Sequence, residues 1–237
     1  MKKLKRIMAT AMAITALAVS CLSPVEASAA TSTKQSVQPQ ATAAISNSKM
    51  KKNVKFTFKK TPKGLIAYVK NKNKFNVQVY SYVNFKNSKN KQICKSLDNT
   101  YCLEKGKTAV FEYYCINSNY KYTKFKKYSH TYNVYVADGK ASYVSKISAK
   151  LTKKTNSYCT VAFKNNSKQK LSFIHYTVLF TDKKGNIINV YSSYANCTKK
   201  NSKDTRTIYY DYSSKTHSYV KPAKYKIIID YAYRFTR

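Results

Sequence analysis

The chain has 237 residues, yet it contains no tryptophan, four glycines and three histidines. So few glycines leave no glycine-rich loop of the kind that holds phosphate groups in nucleotide-binding proteins. The histidines, His130, His175 and His217, stand in no recognisable spacing with a serine, a cysteine or a carboxylate. Catalytic triads and zinc sites require such combinations. We therefore predict no cofactor and no metal site.

Acidic residues are also scarce, with nine Asp and Glu against 45 Lys and Arg, so the formal net charge is +36. A glycosidase needs two carboxylates that face one bond, and nothing in the sequence marks any two of these acids as a pair. We therefore predict that the protein is not an enzyme. A hydrolase assembled from scattered acids stays as an alternative.

The N-terminus has the pattern of an export signal. Residues 1–29 combine a basic start, an apolar run over residues 7–22 that is too short for a stable membrane span, and the small residues Ala27–Ala29. This pattern predicts a protein that is secreted or associated with the cell envelope, with lipidation of Cys21 as the alternative. Residues 30–49 are rich in Ser, Thr, Ala and Gln and predict a disordered linker. No later run is long enough to cross a bilayer, so we predict no integral membrane span.

The remainder of the chain repeats itself. The segment "SYVNFKNSKNKQI" at Ser81–Ile93 returns as "YTVLFTDKKGNII" at Tyr176–Ile188, and "AYVKNKNKF" at Ala67–Phe75 returns as "VAFKNNSKQKL" at Val161–Leu171. A repeat of this size indicates one small domain copied once. We place the two copies at residues 50–139 and 140–237.

Both copies read as series of short strands, with no convincing amphipathic helix after the signal. Apolar and polar residues alternate, which is typical of strands that bury one face, as in a sandwich. The inward positions agree between the copies, with the closing strands matched as Val134 to Ile227. The central strands match as Val79 to Ile174, Val83 to Val178 and Phe85 to Phe180.

Two turn residues also correspond. Gly185 lies in the hairpin segment "TDKKGN" and predicts a positive φ angle. Its counterpart is Asn90, the residue type that tolerates a positive φ angle next best.

These core and turn residues resemble those of FxLYD-type and related Ig-like domains, which recur in secreted and surface proteins of Gram-positive bacteria. The first copy departs from that pattern at Asn87 and Asn90, where Asp and Gly are expected. The resemblance implies an all-β chain of two tandem Ig-like antiparallel β-sandwich domains without catalytic residues. In the second copy it is carried by Asn165, Val178, Phe180, Asp182, Gly185 and Ile187.

Five cysteines follow the signal, so at least one must be unpaired if disulfides form after export. Cys94 and Cys115 would face each other if their segments formed a hairpin about the turn Glu104–Lys107. Cys159 and Cys197 are the candidate pair of the second copy. The alternative is that these residues are small buried hydrophobic side chains.

The remaining signal is the interleaving of lysine with aromatic residues in Asn119–Tyr132 and Tyr209–Lys226. Lysine attracts polyanions, and exposed tyrosine offers a flat stacking surface. We therefore predict binding to an anionic cell-wall polymer such as teichoic acid, or to an acidic glycan. A polycation that acts on membranes or on nucleic acid is the alternative, and tyrosine that only fills strands is the plainer explanation. The predicted binding residues are Lys121, Tyr122, Lys124, Lys126, Lys127, Tyr128, Lys221, Lys224 and Tyr225.

Overall fold

Antiparallel β-strands make up most of Asn47–Thr236, the part of the chain that the computed structural model describes. The all-β prediction is confirmed. The predicted signal at residues 1–29, with Cys21, and most of the predicted linker lie outside the described residues.

One short helix corrects the sequence prediction. Helix α1 (Asn47–Lys52) crosses the predicted linker boundary at residue 49 and was not expected. It forms because Met50 packs into the first hydrophobic cluster. The Met50 carbonyl also accepts hydrogen bonds from the Asn53 amide at 3.2 Å and from Asn73 Nδ2 at 3.3 Å.

The strands of the first half form two three-stranded sheets, with the orders β1-β2-β5 and β4-β3-β6. In chain order they are β1 (Val54–Thr61), β2 (Gly64–Asn71), β3 (Val77–Lys86), β4 (Gln92–Leu103), β5 (Thr108–Tyr114) and β6 (Lys127–Val136).

The second half repeats this pairing, with the orders β12-β9-β8 and β11-β10-β15-β7, plus the small hairpin β13-β14. Its elements are β7 (Lys140–Ser142), a 3-10 turn (Val144–Lys146), β8 (Ile147–Lys154), β9 (Tyr158–Asn165), β10 (Phe173–Thr181), β11 (Ile187–Tyr194), β12 (Lys203–Tyr209), β13 (Tyr212–Ser213), β14 (Ser218–Tyr219) and β15 (Lys224–Phe235).

Each half encloses its own hydrophobic cluster between its two sheets. In the first half Val79, Val83 and Phe85 of β3 pack with residues of β2 and β5. In the second half Ile174 and Phe180 occupy the corresponding places on β10. The predicted inward faces of these strands are therefore confirmed.

The turn predictions are also confirmed. Asn90 has a φ angle of 62° and Gly185 a φ angle of 86°. In each hairpin the side chain that opens the turn accepts a backbone hydrogen bond, at 3.0 Å for Asn87 and at 2.8 Å for Asp182. The two turns therefore have the same construction although their residues differ.

A buried asparagine recurs at the end of β2 and of β9. Asn71 and Asn165 are fully buried, and each uses its amide group to close the loop that follows. Asn71 Nδ2 donates to the Leu103 carbonyl at 3.0 Å, and Asn165 Nδ2 donates to the Thr198 carbonyl at 3.2 Å. The recurring "KN" of the sequence is thus a loop anchor.

Strands β2 and β5 are covered on both faces, which corrects the expectation of one-sided burial. Ile66 of β2 and Val110 of β5 point away from the first cluster and pack against Leu179 and Ile187 of the second half. Ile66 is 1% exposed. We call this contact between the two halves the junction.

The closing strands of the two halves, β6 and β15, correspond in the structure through other residues than those predicted from the sequence. Val134 pairs with Val79, whereas Ile174, the counterpart of Val79, pairs with Ala232. Val134 therefore matches Ala232 and not Ile227. The predicted match is already wrong before the bulge, because Val83 pairs with His130 and Val178 pairs with Ile227, so Ile227 matches His130. A bulge in β15, where the register skips Asp230, adds one further residue and re-aims the Asp230 side chain.

Candidate functional site

The predicted binding residues of the first copy lie on one end of its sheets, in the segment before β6 and on its first residues. Lys121, Lys124, Lys126 and Lys127 are exposed. The rings are partly packed, because Tyr122 lies 6.0 Å from the Tyr114 ring and Tyr128 lies 5.2 Å from the Phe58 ring.

The predicted residues of the second copy lie at the equivalent end. Tyr128 pairs with Phe85 on β3, and Tyr225 pairs with Phe180 on β10, so the two tyrosines occupy equivalent places. Lys221 and Lys224 are exposed, while Tyr225 is half-buried.

Three lysines surround Tyr225 in an open cleft of about 600 Å³. Lys154 Nζ lies 5.3 Å from the centre of the Tyr225 ring, and Lys221 and Lys183 line the same space. We call this space the basic cleft. Lys154 and Lys183 were not predicted from the sequence, although each belongs to a Lys-Lys pair.

One carboxylate, Asp182, also lines the basic cleft, but it is engaged in its own hairpin. It accepts hydrogen bonds from the backbone amide and the side-chain amide of Asn186, each at 2.8 Å. These hydrogen bonds keep the pKa of Asp182 below its ordinary value. The lysines therefore dominate the charge of the cleft.

Few lysines have an acidic partner. Within residues 47–236, Lys63 is the single lysine that pairs with a carboxylate, Asp211, at 3.1 Å. The other ion pairs of this part of the chain are Arg206–Asp204 and His175–Asp230. Several lysines instead lie over aromatic rings, as Lys60 does over Phe125.

Three of the eight acids in residues 47–236, namely Asp98, Glu112 and Asp230, lie at the junction or beside it, and Asp230 is the most buried of them. Asp230 is 2% exposed, and its carboxylate accepts hydrogen bonds from the Val110 amide and Thr177 Oγ1, both at 2.6 Å, and from His175 Nδ1 at 3.1 Å. It therefore ties β5 of the first half to β10 and β15 of the second.

Close polar contacts continue from Asp230 to a second acid. Thr177 Oγ1 lies 2.7 Å from Ser192 Oγ, and Ser192 in turn donates to Glu112. Tyr114 donates to the other oxygen of Glu112. Side chains from both halves thus form one connected polar network.

Asp98, which belongs to the first half, lies along the same edge of β5. Its carboxylate accepts hydrogen bonds from the Glu112 amide and from the Asn99 amide, both at 2.6 Å. Burial raises the pKa of Asp98 to about 7. The Tyr114 amide donates to Ser96 Oγ at 3.1 Å, so the edge amides of β5 at Val110, Glu112 and Tyr114 all have side-chain acceptors.

One serine and one histidine approach each other inside the first half. Ser81 Oγ lies 2.8 Å from His130 Nε2 and 2.5 Å from Tyr113 Oη. Burial lowers the pKa of His130 to about 4. Ser81 is fully buried, so no substrate reaches its hydroxyl, and the contact serves packing.

The five cysteines of the described residues are free thiols, and the two predicted pairs differ in geometry. Cys94 Sγ and Cys115 Sγ lie 2.9 Å apart, although β4 and β5 belong to different sheets and form no backbone hairpin. Cys159 is the second residue of β9, whereas Cys197 precedes Thr198, which contacts Asn165 at the far end of that strand. Six extended residues span about 20 Å, so Cys159 and Cys197 cannot bridge.

The described part of the chain contains no group of three His, Cys, Asp or Glu side chains that could hold a metal ion. None of its helices has the length and apolar character needed to span a bilayer. No protein-family model and no curated protein matches this chain.

Proposed function

We propose that this protein is an exported, non-catalytic binding protein that attaches to an anionic polymer of the cell envelope, such as teichoic acid or an acidic glycan. We further propose that its scaffold is two tandem Ig-like sandwiches of the FxLYD type. The strand orders β1-β2-β5 with β4-β3-β6 and β8-β9-β12 with β11-β10-β15 support that scaffold.

The main support for the proposed function is that the junction acids and the lysines lie in different parts of the protein. Asp98, Glu112 and Asp230 are engaged in hydrogen bonds at the junction, while one lysine of residues 47–236 has a carboxylate partner. The surface charge therefore stays uncompensated within the protein. A surface of one sign attracts polymers of the opposite sign and raises their rate of association.

The basic cleft is the proposed docking point in the second half. Lys154, Lys183 and Lys221 supply positive charge to phosphate or carboxylate groups, and Tyr225 supplies a ring against which a sugar or polyol unit packs. The exposed lysines around Tyr122 and Tyr128 extend the same chemistry to the first half.

The test uses the chain from residue 30 onward and measures its affinity for purified teichoic acid, an acidic glycan and a neutral glycan. We expect binding to the two anionic polymers that weakens steeply with salt. The substitution of Lys154, Lys183 and Lys221 by Gln removes three charges from the basic cleft, so we expect at least about tenfold weaker binding.

The matched control replaces Lys74, Lys105 and Lys168 by Gln. These lysines are exposed and lie on loops at the opposite end of the strands. If both triple variants lose affinity equally, the basic cleft has no special role. Absence of binding to either anionic polymer at low salt would reject the proposal. Leakage from anionic vesicles would favour the membrane-active alternative, and tight binding to DNA alone the nucleic-acid alternative.

A further inference from the structure

A groove lined by aromatic rings lies beside the acids of the junction. It has a volume of about 250 Å³, and Tyr101 of the first half lines it together with rings of the second half. Tyr101, Phe173 and Tyr194 are 40%, 44% and 47% exposed, so their rings are open to a ligand. The other two rings are those of Tyr231 and Tyr233.

The aromatic groove continues into a polar cavity of about 130 Å³, because Tyr101, Tyr194 and Tyr231 line both spaces. Asp98 and Asp230 also line this cavity. Together the two spaces reach the size of small-molecule pockets, which begin at about 300 Å³.

Two polar groups of the cavity have no hydrogen-bond partner within the protein. Thr100 is 1% exposed, yet its Oγ1 has no partner, and Asn99 Nδ2 is likewise buried without one. Both residues line the polar cavity. Buried polar groups in folded proteins normally have partners, so these two are unsatisfied groups in the lining of the cavity.

The charges of the lining restrict the class of ligand. Of the described lysines, none lines either space, and the two carboxylates of the cavity disfavour an anion. A purely cationic ligand offers donors alone and would leave the Asn99 amide hydrogen unpaired. A hydroxyl group both donates and accepts, so it serves Asp98, Asn99 and Thr100 alike.

We propose that the aromatic groove and the polar cavity form a binding site for a neutral saccharide unit. The apolar face of the sugar ring stacks on Tyr101, Phe173 and Tyr194, and its hydroxyls bond to Asn99, Thr100 and Asp98. This site is separate from the basic cleft and does not depend on the proposed attachment to an anionic polymer.

The test measures by calorimetry the binding of three neutral tetrasaccharides, built of N-acetylglucosamine, glucose or mannose. We expect at least one to bind, with the same affinity at about 0.15 M and about 0.5 M salt, because no charge is neutralised. The double variant Tyr101→Ala/Phe173→Ala and the single variant Asn99→Ala should each weaken binding at least about tenfold.

The control variant Tyr120→Ala/Tyr209→Ala removes two exposed rings outside the groove and should bind as the original protein does. A thermal melt checks that each variant is folded. Absence of binding by all three tetrasaccharides would overturn the proposal, as would equal affinity in the groove and control variants. Binding that disappears at about 0.5 M salt, or in the basic-cleft triple variant, would assign the sugar to the lysines instead.

Discussion

The junction and the basic ends of this molecule use charge in opposite ways. At the junction Asp98, Glu112 and Asp230 accept hydrogen bonds from backbone amides and hydroxyls, and their charge is confined to the interior. At the basic ends, exposed lysines such as Lys126 and Lys221 form no ion pair with a carboxylate. The difference shows that Asp98, Glu112 and Asp230 are used inside the fold, whereas most lysines of residues 47–236 have no carboxylate partner within the protein.

The largest effect on stability should come from the junction. Asp230→Ala leaves the Val110 amide and Thr177 Oγ1 without their buried acceptor, and such a loss costs about 3–5 kcal/mol. Urea denaturation of the variant measures this cost. Asp182→Ala, which removes a half-buried turn carboxylate, is the control, and equal losses in the two variants would mean that the junction acids are not structural.

The next largest effect on stability should come from a disulfide between Cys94 and Cys115. Oxidation by a disulfide such as oxidised glutathione should join Cys94 to Cys115, with loss of two hydrogens and reduction of the oxidant. Closing the intervening loop stabilises the fold by about 3 kcal/mol. Peptide mapping and melting with and without reductant check this.

Cys159→Ser is the control for the disulfide, and it should leave the gain from oxidation intact because Cys159 is buried and distant from the pair. A mapped Cys159–Cys197 bridge would contradict the structure.

A change of pH should alter stability through two groups, Asp98 and His130, whose contributions have opposite signs. The folded state holds the proton of Asp98 more tightly than the unfolded state, because burial raises its pKa from 3.8 to about 7. It holds the proton of His130 less tightly, because burial lowers its pKa from 6.5 to about 4. As the pH rises from about 4 to about 6.5, Asp98 therefore lowers the free energy of unfolding and His130 raises it.

In the original protein these contributions offset each other over that range. In a His130→Phe variant the contribution of Asp98 stays alone, so stability should fall steadily as the pH rises from about 4 to about 7. Urea denaturation at a series of pH values measures both curves. Parallel curves for the two proteins would contradict the opposing contributions.

The smallest effect on stability should come from the basic cleft. Replacement of Lys154, Lys183 and Lys221 by Gln removes no carboxylate contact, so the free energy of unfolding should change by less than about 0.5 kcal/mol per residue. Thermal melting of this variant beside Asp230→Ala completes the comparison. A large loss of stability in the triple variant would make these lysines structural.

The sequence predicted the strands and turns that depend on local pattern. The alternation of Val79, Val83 and Phe85 identified the inward face of β3, and Asn90 and Gly185 identified the turns. The covering of Ile66 was missed, although the uninterrupted apolar run of β2 is typical of a strand buried on both faces.

The positions of the junction acids could not be predicted from the sequence, because contacts between distant segments determine them. A bulge in β15 turns Asp230 toward Val110, and no local sequence pattern predicts that bulge. Asp98 and Glu112 meet through the register in which β4 runs beside β5. We predicted that Cys94 and Cys115 face each other in this register, but as part of a backbone hairpin. In the structure, side-chain hydrogen bonds connect the two segments instead.

The slope of binding affinity against salt concentration is the sharpest test of whether the lysines of the basic cleft bind an anionic polymer. Each lysine that neutralises an anionic group of the polymer releases a counterion, so the logarithm of the affinity for teichoic acid should fall linearly with the logarithm of the salt concentration. We predict that the basic-cleft triple variant has a slope shallower by about two to three than the original protein, and that Asp230→Ala keeps the original slope wherever it is folded. Equal slopes for the original protein and the triple variant would contradict the account.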